Sequence, residues 1–243
     1  MTNLFISEIR LHQNALEVDE TQYPFSLPVV RHLQRLSIKS PVTFLVGENG
    51  TGKSTLLEAI ACNYGFNPEG GSKNFHFSTK DTHSELHQFI TLVKGVKRPR
   101  DGYFLRAESF YNVVSEMDEI IGLESAYGGV SLHCMSHGES FLTLLTERFY
   151  GNGLYLLDEP EAALSPARQM AVLTRLHDLV KQRSQLIIAT HSPILLAYPN
   201  AQIFELTEDG IYNRSYQETE HYQLTKQFLG NPEGMLKILL EEE

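Results

Sequence analysis

Cysteine is scarce in this chain of 243 residues: there are two, Cys62 and Cys134. They lie far apart and lack the close spacing of a metal site, which leaves buried or inert thiols in a reducing compartment as the expectation. No apolar run approaches the length of a membrane span, so membrane insertion is not expected. The opening MTNLFISEIR lacks the basic segment and apolar core of a signal peptide, and a cytoplasmic location is expected. Internal repeats and low-complexity tracts are missing. No heptad run separates residues 55 and 136, which excludes a coiled-coil arm there. A basic excess is missing too: 20 Lys and Arg stand against 30 Asp and Glu, a net charge of −10. That argues against broad, non-specific binding to nucleic acid, and leaves a local basic groove open. The 42% of apolar residues suffices for a globular domain with a substantial core.

What is present centres on Gly47-Glu48-Asn49-Gly50-Thr51-Gly52-Lys53-Ser54-Thr55, which follows the apolar run 42–46 and opens onto a helical pattern. The order strand, glycine-rich loop, helix and the spacing G-x-x-x-x-G-K-[ST] describe a phosphate-binding loop. A chance match in a chain of this length has odds of roughly one in a hundred. The glycines let the backbone curl and bring its N–H groups to phosphate oxygens, and the helix points its positive end at them. Lys53 is expected to reach the β- and γ-phosphates, Ser54 to hold a magnesium ion, and Thr55 to add a contact to the α-phosphate.

Along the chain, residues 4–18 alternate loosely and predict one or two strands. The spacing of Val29, Val30, Leu33 and Leu36 predicts a helix. The helix after the loop runs to about Asn63. Helical periodicity returns over 84–93. The basic run Lys94, Lys97, Arg98 and Arg100 follows; it is either a solvated loop or a contact surface for nucleic acid or an acidic partner. A buried strand is predicted from Tyr103 to Ala107, helices over 111–125 and 141–149, and a buried strand from Leu154 to Leu157. Ser165-Pro166 starts a helix, as cap and first position, that reaches about Gln182. Residues 185–190 form a buried strand, 203–206 and 211–215 a hairpin, and 220–228 a helix. Strands alternating with helices predict an α/β fold with a mostly parallel central sheet, preceded by antiparallel strands.

Two further clusters carry chemistry. Asp158 and Glu159 end an apolar strand about a hundred residues after Lys53. Phosphoryl-transfer sites place there a carboxylate for magnesium and a second one to deprotonate the attacking water; by themselves the pair could equally close an ordinary strand-end turn. His191 ends the next strand, where an imidazole can hydrogen-bond a γ-phosphate.

Together these pieces resemble the ATP-binding cassette (ABC) ATPases over about residues 4–210. GENGTGKST resembles their Walker A loop, LYLLDEPE their Walker B strand and ATHSP their switch-histidine region. MSHGES is similar to their signature motif, Ala162-Ala163-Leu164-Ser165 to the D-loop, and Glu108 falls where the family has its Q-loop glutamine. The resemblance implies a single ABC-type P-loop NTPase domain, with a core lobe (about 1–63 and 150–243) and a helical signature lobe (about 64–149). It implies ATP and Mg2+ as ligands, with Ser54, Asp158 and Glu108 at the metal. It implies a homodimer packed head to tail around two ATP molecules, in which Ser136 and Gly138 of one copy face the γ-phosphate held by the other. Tyr23 and Phe25 are the candidates to stack on adenine.

The signature reads SHGE rather than the SGGQ common in transporter subunits, and the Q-loop position holds an acid. The S-x-G-E form resembles the soluble RecF-like, RecN-like and chromosome-maintenance branch, and suggests an ATPase of DNA maintenance or defence. The alternatives are a nucleotide-binding subunit of a membrane transporter and a slow ATP-dependent switch acting on a protein partner.

Overall fold

The computed structural model describes residues 4–72, 84–106, 137–162 and 164–240. In chain order the strands are β1 (Ile6–Leu11), β2 (Arg35–Ser37), β3 (Val42–Gly47), β4 (Gly71–Ser72), β5 (Ile90–Lys94), β6 (Asp101–Arg106), β7 (Gly153–Asp158), β8 (Gln185–Ala189), β9 (Gln202–Leu206) and β10 (Ile211–Arg214). The helices are α1 (Pro28–His32), α2 (Lys53–Tyr64), α3 (His137–Thr143, continued by a π-turn over Leu144–Arg148), α4 (Pro166–Lys181), α5 (Pro193–Leu196), α6 (Glu220–Gly230) and α7 (Pro232–Leu240).

A seven-stranded sheet runs in the order β10-β9-β3-β8-β7-β6-β4. Its five middle strands are parallel and its two edges antiparallel. Every residue of β3, β7 and β8 is buried, as expected of parallel strands covered on both faces. A smaller antiparallel sheet, β2-β1-β5, lies across α2. Helix α2 packs between the two sheets, against β5 on one side and β7 and β8 on the other. Residues 56–61 are therefore buried without interruption, and the helix shows no polar stripe. The opposite face of the large sheet is covered by α3, α4 and α5, through Phe141, Leu144, Leu176 and Leu195. Ser165 caps α4 by accepting from Arg168 N, with Pro166 next to it. From α4, Arg175 donates to the carbonyls of Leu145, Thr146 and Phe149, satisfying the end of the π-turn.

Two glutamine side chains join the sheets. Gln185 Oε1 accepts from the backbone N–H groups of Phe5 (2.7 Å) and Ile6 (2.9 Å), while its Nε2 donates to Ile6 O (2.8 Å). Gln202 accepts from Lys39 N (2.8 Å) and donates to Ser37 O (3.0 Å). Both amides stand where a neighbouring strand would otherwise satisfy the backbone. Gln185→Leu would leave three polar groups of the buried residues Phe5 and Ile6 unanswered. It is expected to destabilise the fold by about 3 kcal/mol or more, seen as a fall in Tm of roughly 6–12 °C on thermal denaturation.

The structure corrects several expectations. Residues 84–93 are not a helix: a 3-10 turn (Glu85–Gln88) leads into β5. Leu86, Ile90 and Val93 fit helical spacing, but the long-range pairing of β5 with β1 decides the conformation. The helix predicted over 29–36 ends at His32, and Leu36 lies in β2 opposite Ile9. A second C-terminal helix, α7, follows Gly230 where none was predicted. Strands β5 and β6 fall within the stretch 64–149 assigned to a helical lobe, yet each is built into one of the sheets, because each finds its strand partners in the core. The helix predicted over 111–125 lies outside the described residues.

Candidate nucleotide site

The parallel strands β3, β7 and β8 end on the same side of the sheet, the side on which open α/β sheets bind ligands. The phosphate loop leaves β3 there. Gly47 has φ +150°, and a Cβ on it would lie 2.2 Å from the Leu206 carbonyl oxygen; only glycine fits between the loop and β9. Gly50 has φ +85° and opens onto free space, with nothing within 4 Å of where a Cβ would stand. A tight, left-handed turn facing an open space is what a phosphate cradle needs. No side chain caps the first turn of α2, so its N–H groups are left for an anion.

Lys53 is 4% exposed and donates from Nζ to the loop's own carbonyls, Gly47 O (2.8 Å) and Glu48 O (2.9 Å). Burial pulls its pKa below the usual lysine value, and the carboxylates of Glu159, Asp158 and Glu161 pull it back. Among the described residues this buried ammonium is held by carbonyls alone, which leaves it poised for a stronger anionic partner.

Ser54 Oγ donates to Asp158 Oδ1 at 2.9 Å. One hydroxyl and one carboxylate, side by side, form a hard-oxygen pair suited to magnesium, which takes few protein ligands and completes its shell with water and phosphate. Among the described residues no cluster of three or more His, Cys, Asp or Glu offers a metal cage, so an ion here would depend on phosphate oxygens.

Glu159 follows Asp158 with φ +49°, a left-handed conformation uncommon for a residue with a side chain. Its N–H donates to Ala189 O (2.9 Å), which ties the turn after β7 to β8. Its carboxylate is 3.6 Å from His191 Nε2. His191 in turn is set by Glu161, whose Oε1 accepts from His191 N. Burial raises the Glu161 pKa, and the hydrogen bonds from His191 N and Thr190 oppose that rise. On its other side, His191 Nδ1 lies 3.0 Å from Nε2 of His221, on α6. Both imidazole pKa values are lowered, first by burial and next by the Lys53 charge. A cleft of about 450 Å³ opens beside these groups, lined by Glu48, Asn49, His191, Glu220, His221 and Leu224.

Two family models match the chain. One, described as "AAA domain", covers residues 22–125; the other, described as "AAA domain, putative AbiEii toxin, Type IV TA system", covers 103–197. An "Uncharacterized ABC transporter ATP-binding protein" of Haemophilus influenzae is 28% identical over 199 residues, spanning 70% of this chain and 71% of that one. The "Cobalt import ATP-binding protein CbiO" of Salmonella typhimurium is 26% identical over 205 residues, spanning 76% and 74%. This chain is an ATPase of the ABC type. Among solved structures, cbiO1 from Clostridium perfringens, part of the ABC transporter complex cbiONQ, covers 98% of the ATPase and all of its own chain, at 18% identity and a TM-score of 0.48. These curated relatives are ATP-binding proteins of transporters, so the comparisons do not single out the RecF, RecN and chromosome-maintenance branch. Among the described residues no helix of the ATPase is long and apolar enough to cross a membrane.

Lys53, Ser54, Asp158, Glu159 and His191, chosen from sequence, are brought together in the ATPase. Thr55 is beside them, its Oγ1 3.4 Å from the hydroxyl of Tyr23. Tyr23 is 61% exposed and free to offer its ring face. Phe25 is not: it is buried, edge-on against Phe89, because its apolar ring is core to the small sheet. Gly138 lies in the first turn of α3 and is buried. Ser136, Glu108 and Cys134 lie outside the described residues. Cys62 is half-buried on α2, and burial, with the Glu58 charge next, pushes its thiol pKa up to about 12, which makes it unreactive.

Sequence reasoning missed Glu161 and His221. Glu161 had a signal, the second glutamate of DEPE. His221 had none, since nothing local links it to a histidine 30 residues earlier. The basic run divides: Lys94 lies over the Tyr64 ring, 4.7 Å from its centroid. Lys97, Arg98 and Arg100 instead line a cleft of about 330 Å³ with Arg183, Asn152 and Phe5. That cleft lies where β6, β7 and β8 begin, at the opposite edge of the sheet from the phosphate loop.

Proposed function

We propose that the chain is the nucleotide-binding, ATP-hydrolysing subunit of a membrane transport complex, closing head to tail with a second copy around two molecules of ATP. The observation that carries the chemistry is the convergence of Lys53, the Ser54–Asp158 pair, Glu159 and His191 at the ends of β3, β7 and β8. Lys53 exchanges its two carbonyls for phosphate oxygens. Magnesium, held by Ser54 and Asp158, supplies neutralisation of the phosphate charge when bound. Glu159 takes the proton of the attacking water, and His191 donates from Nε2 to the γ-phosphate. From a second copy, Ser136 and Gly138 reach the same phosphate, so hydrolysis removes the contacts that hold the closed pair. That the relatives from Haemophilus influenzae and Salmonella typhimurium are ATP-binding proteins of transporters supports a membrane-embedded partner.

A second reading, an ATPase acting on DNA, is favoured by one feature: Lys97, Arg98, Arg100 and Arg183 converge on one cleft of an otherwise acidic protein. Turnover measured alone and with duplex DNA at low salt separates the two. Under the transporter reading, turnover is indifferent to DNA, and the chain recovers a membrane protein from detergent extracts of its own cells. Under the other, DNA stimulates turnover, four phosphate contacts give a log–log salt slope of roughly −4, and Arg98→Glu with Arg183→Glu removes the stimulation.

A further inference from the structure

His221 is the second residue of α6, far in sequence from every motif of the phosphate site. Its place is nevertheless well fixed. Thr219 caps the helix by accepting from Tyr222 N, and Glu220 N donates to Glu205 Oε1 at 2.9 Å. Glu205 sits on β9, the neighbour of the strand that carries the phosphate loop. The result is an imidazole at 3.0 Å from Nδ1 of His191, ring centroids 5.2 Å apart.

A contact of that length between two ring nitrogens needs one N–H and one lone pair. Two neutral arrangements satisfy it. In the first, His191 donates from Nδ1, which leaves a lone pair on its Nε2, facing the Glu159 carboxylate at 3.6 Å. It also forces the proton of His221 onto Nδ1, a buried atom with no hydrogen-bond partner. Two acceptors then oppose each other and a buried N–H is orphaned, both costly. In the second, His221 donates from Nε2 and keeps a bare lone pair on Nδ1. His191 accepts on Nδ1 and carries its proton on Nε2, which has no hydrogen-bond partner among the described residues but faces the Glu159 carboxylate at 3.6 Å, so that charge attracts the N–H where it would repel a lone pair. Burial and the nearby Lys53 charge lower both imidazole pKa values, which favours the neutral rings of these two arrangements.

We propose that His221 is a positioning residue: by donating to Nδ1 of His191 it holds that imidazole in the tautomer with the proton on Nε2, the atom that faces the reacting phosphate. A histidine whose outer nitrogen is fixed in this way is oriented by its neighbour as metal-bound histidines are by their outer partners. The inference rests on the role given to His191 above.

The test reads the tautomer directly. In the full chain labelled with 15N-histidine, long-range proton–nitrogen correlations report which ring nitrogen carries the proton. The two residues are assigned by the signals lost in His191→Gln and His221→Gln. The expected result for the wild-type protein is a proton on Nε2 of His191 and on Nε2 of His221. His221→Leu is expected to mix the two tautomers of His191 and to lower kcat about tenfold, with ATP affinity within twofold of the wild type. His221→Gln, whose amide can donate from a similar reach, is expected to restore most of kcat. A wild-type His191 protonated on Nδ1 overturns the proposal, as does unchanged kcat in His221→Leu, or a glutamine variant no better than the leucine one. Failure of the parent reading looks different: His191→Ala would then hydrolyse ATP at the wild-type rate, whatever tautomer the wild-type ring adopts.

Discussion

Lys53→Ala is expected to weaken ATP binding by roughly a hundredfold or more, about 3 kcal/mol, as measured by calorimetry. The ammonium is 4% exposed and, among the described residues, hydrogen-bonds to two backbone carbonyls alone. A phosphate therefore gains a charge-assisted bond already stripped of most of its water. The same burial makes Lys53 unfavourable in the nucleotide-free protein, which is why its pKa is lowered despite the nearby acids Glu159, Asp158, Glu161 and Glu48. The variant should accordingly keep, or slightly raise, the Tm of the free protein, a stability–function exchange common at active sites. At an ATP concentration of about a hundred times its Kd, the wild type should gain about 2.7 kcal/mol and a Tm rise of roughly 5–10 °C. Lys53→Ala should show almost none of this at the same concentration. Undiminished affinity would break the assignment of the phosphate loop.

Glu159→Gln has the largest expected effect on rate, a fall in turnover of roughly a hundredfold to ten-thousandfold, the range of a lost general base. ATP should still bind. The side chain keeps its shape, and the left-handed backbone at φ +49° suits glutamine no worse than glutamate. Removing one charge beside Asp158 and Glu161 should, if anything, favour a bound triphosphate. With hydrolysis stopped and binding intact, the closed pair should accumulate, so size-exclusion chromatography should show twice the monomer mass only when ATP and magnesium are present. Wild-type turnover in this variant would mean that the water is deprotonated elsewhere.

Much of this site could be read in the sequence, for a physical reason. Parallel strands buried on both faces are near-continuous apolar runs, so 42–46, 154–157 and 185–190 stand out in the sequence, and the residues at their ends are placed with them. The phosphate loop is local in sequence, and its glycines report backbone conformations directly. What failed was non-local. Residues 90–94 adopt a strand because β1 lies alongside, a partner some eighty residues earlier that helical spacing cannot reveal. Leu36 was misassigned for the same reason, its partner being Ile9. Phe25 and Tyr23 are two residues apart with similar rings, yet one is core and the other exposed, a difference set by the small sheet. His221 reaches the site only because Glu205 and Thr219 fix where α6 begins.

The two glutamines that join the sheets also bear on how the chain is made. Gln185 holds the backbone of Phe5 and Ile6, a separation of 179 to 180 residues, and Gln202 holds Lys39, 163 residues earlier. Synthesis runs from the N-terminus, so the first forty residues leave the ribosome long before the side chains that anchor them. Strand β1 can pair with β5 and that ribbon can lie on α2, but the glutamines that tie it to the large sheet arrive only with β8 and β9. Between the emergence of β5 and that of β8 the nascent protein carries its small sheet untied, and the two sheets close on α2 only afterwards.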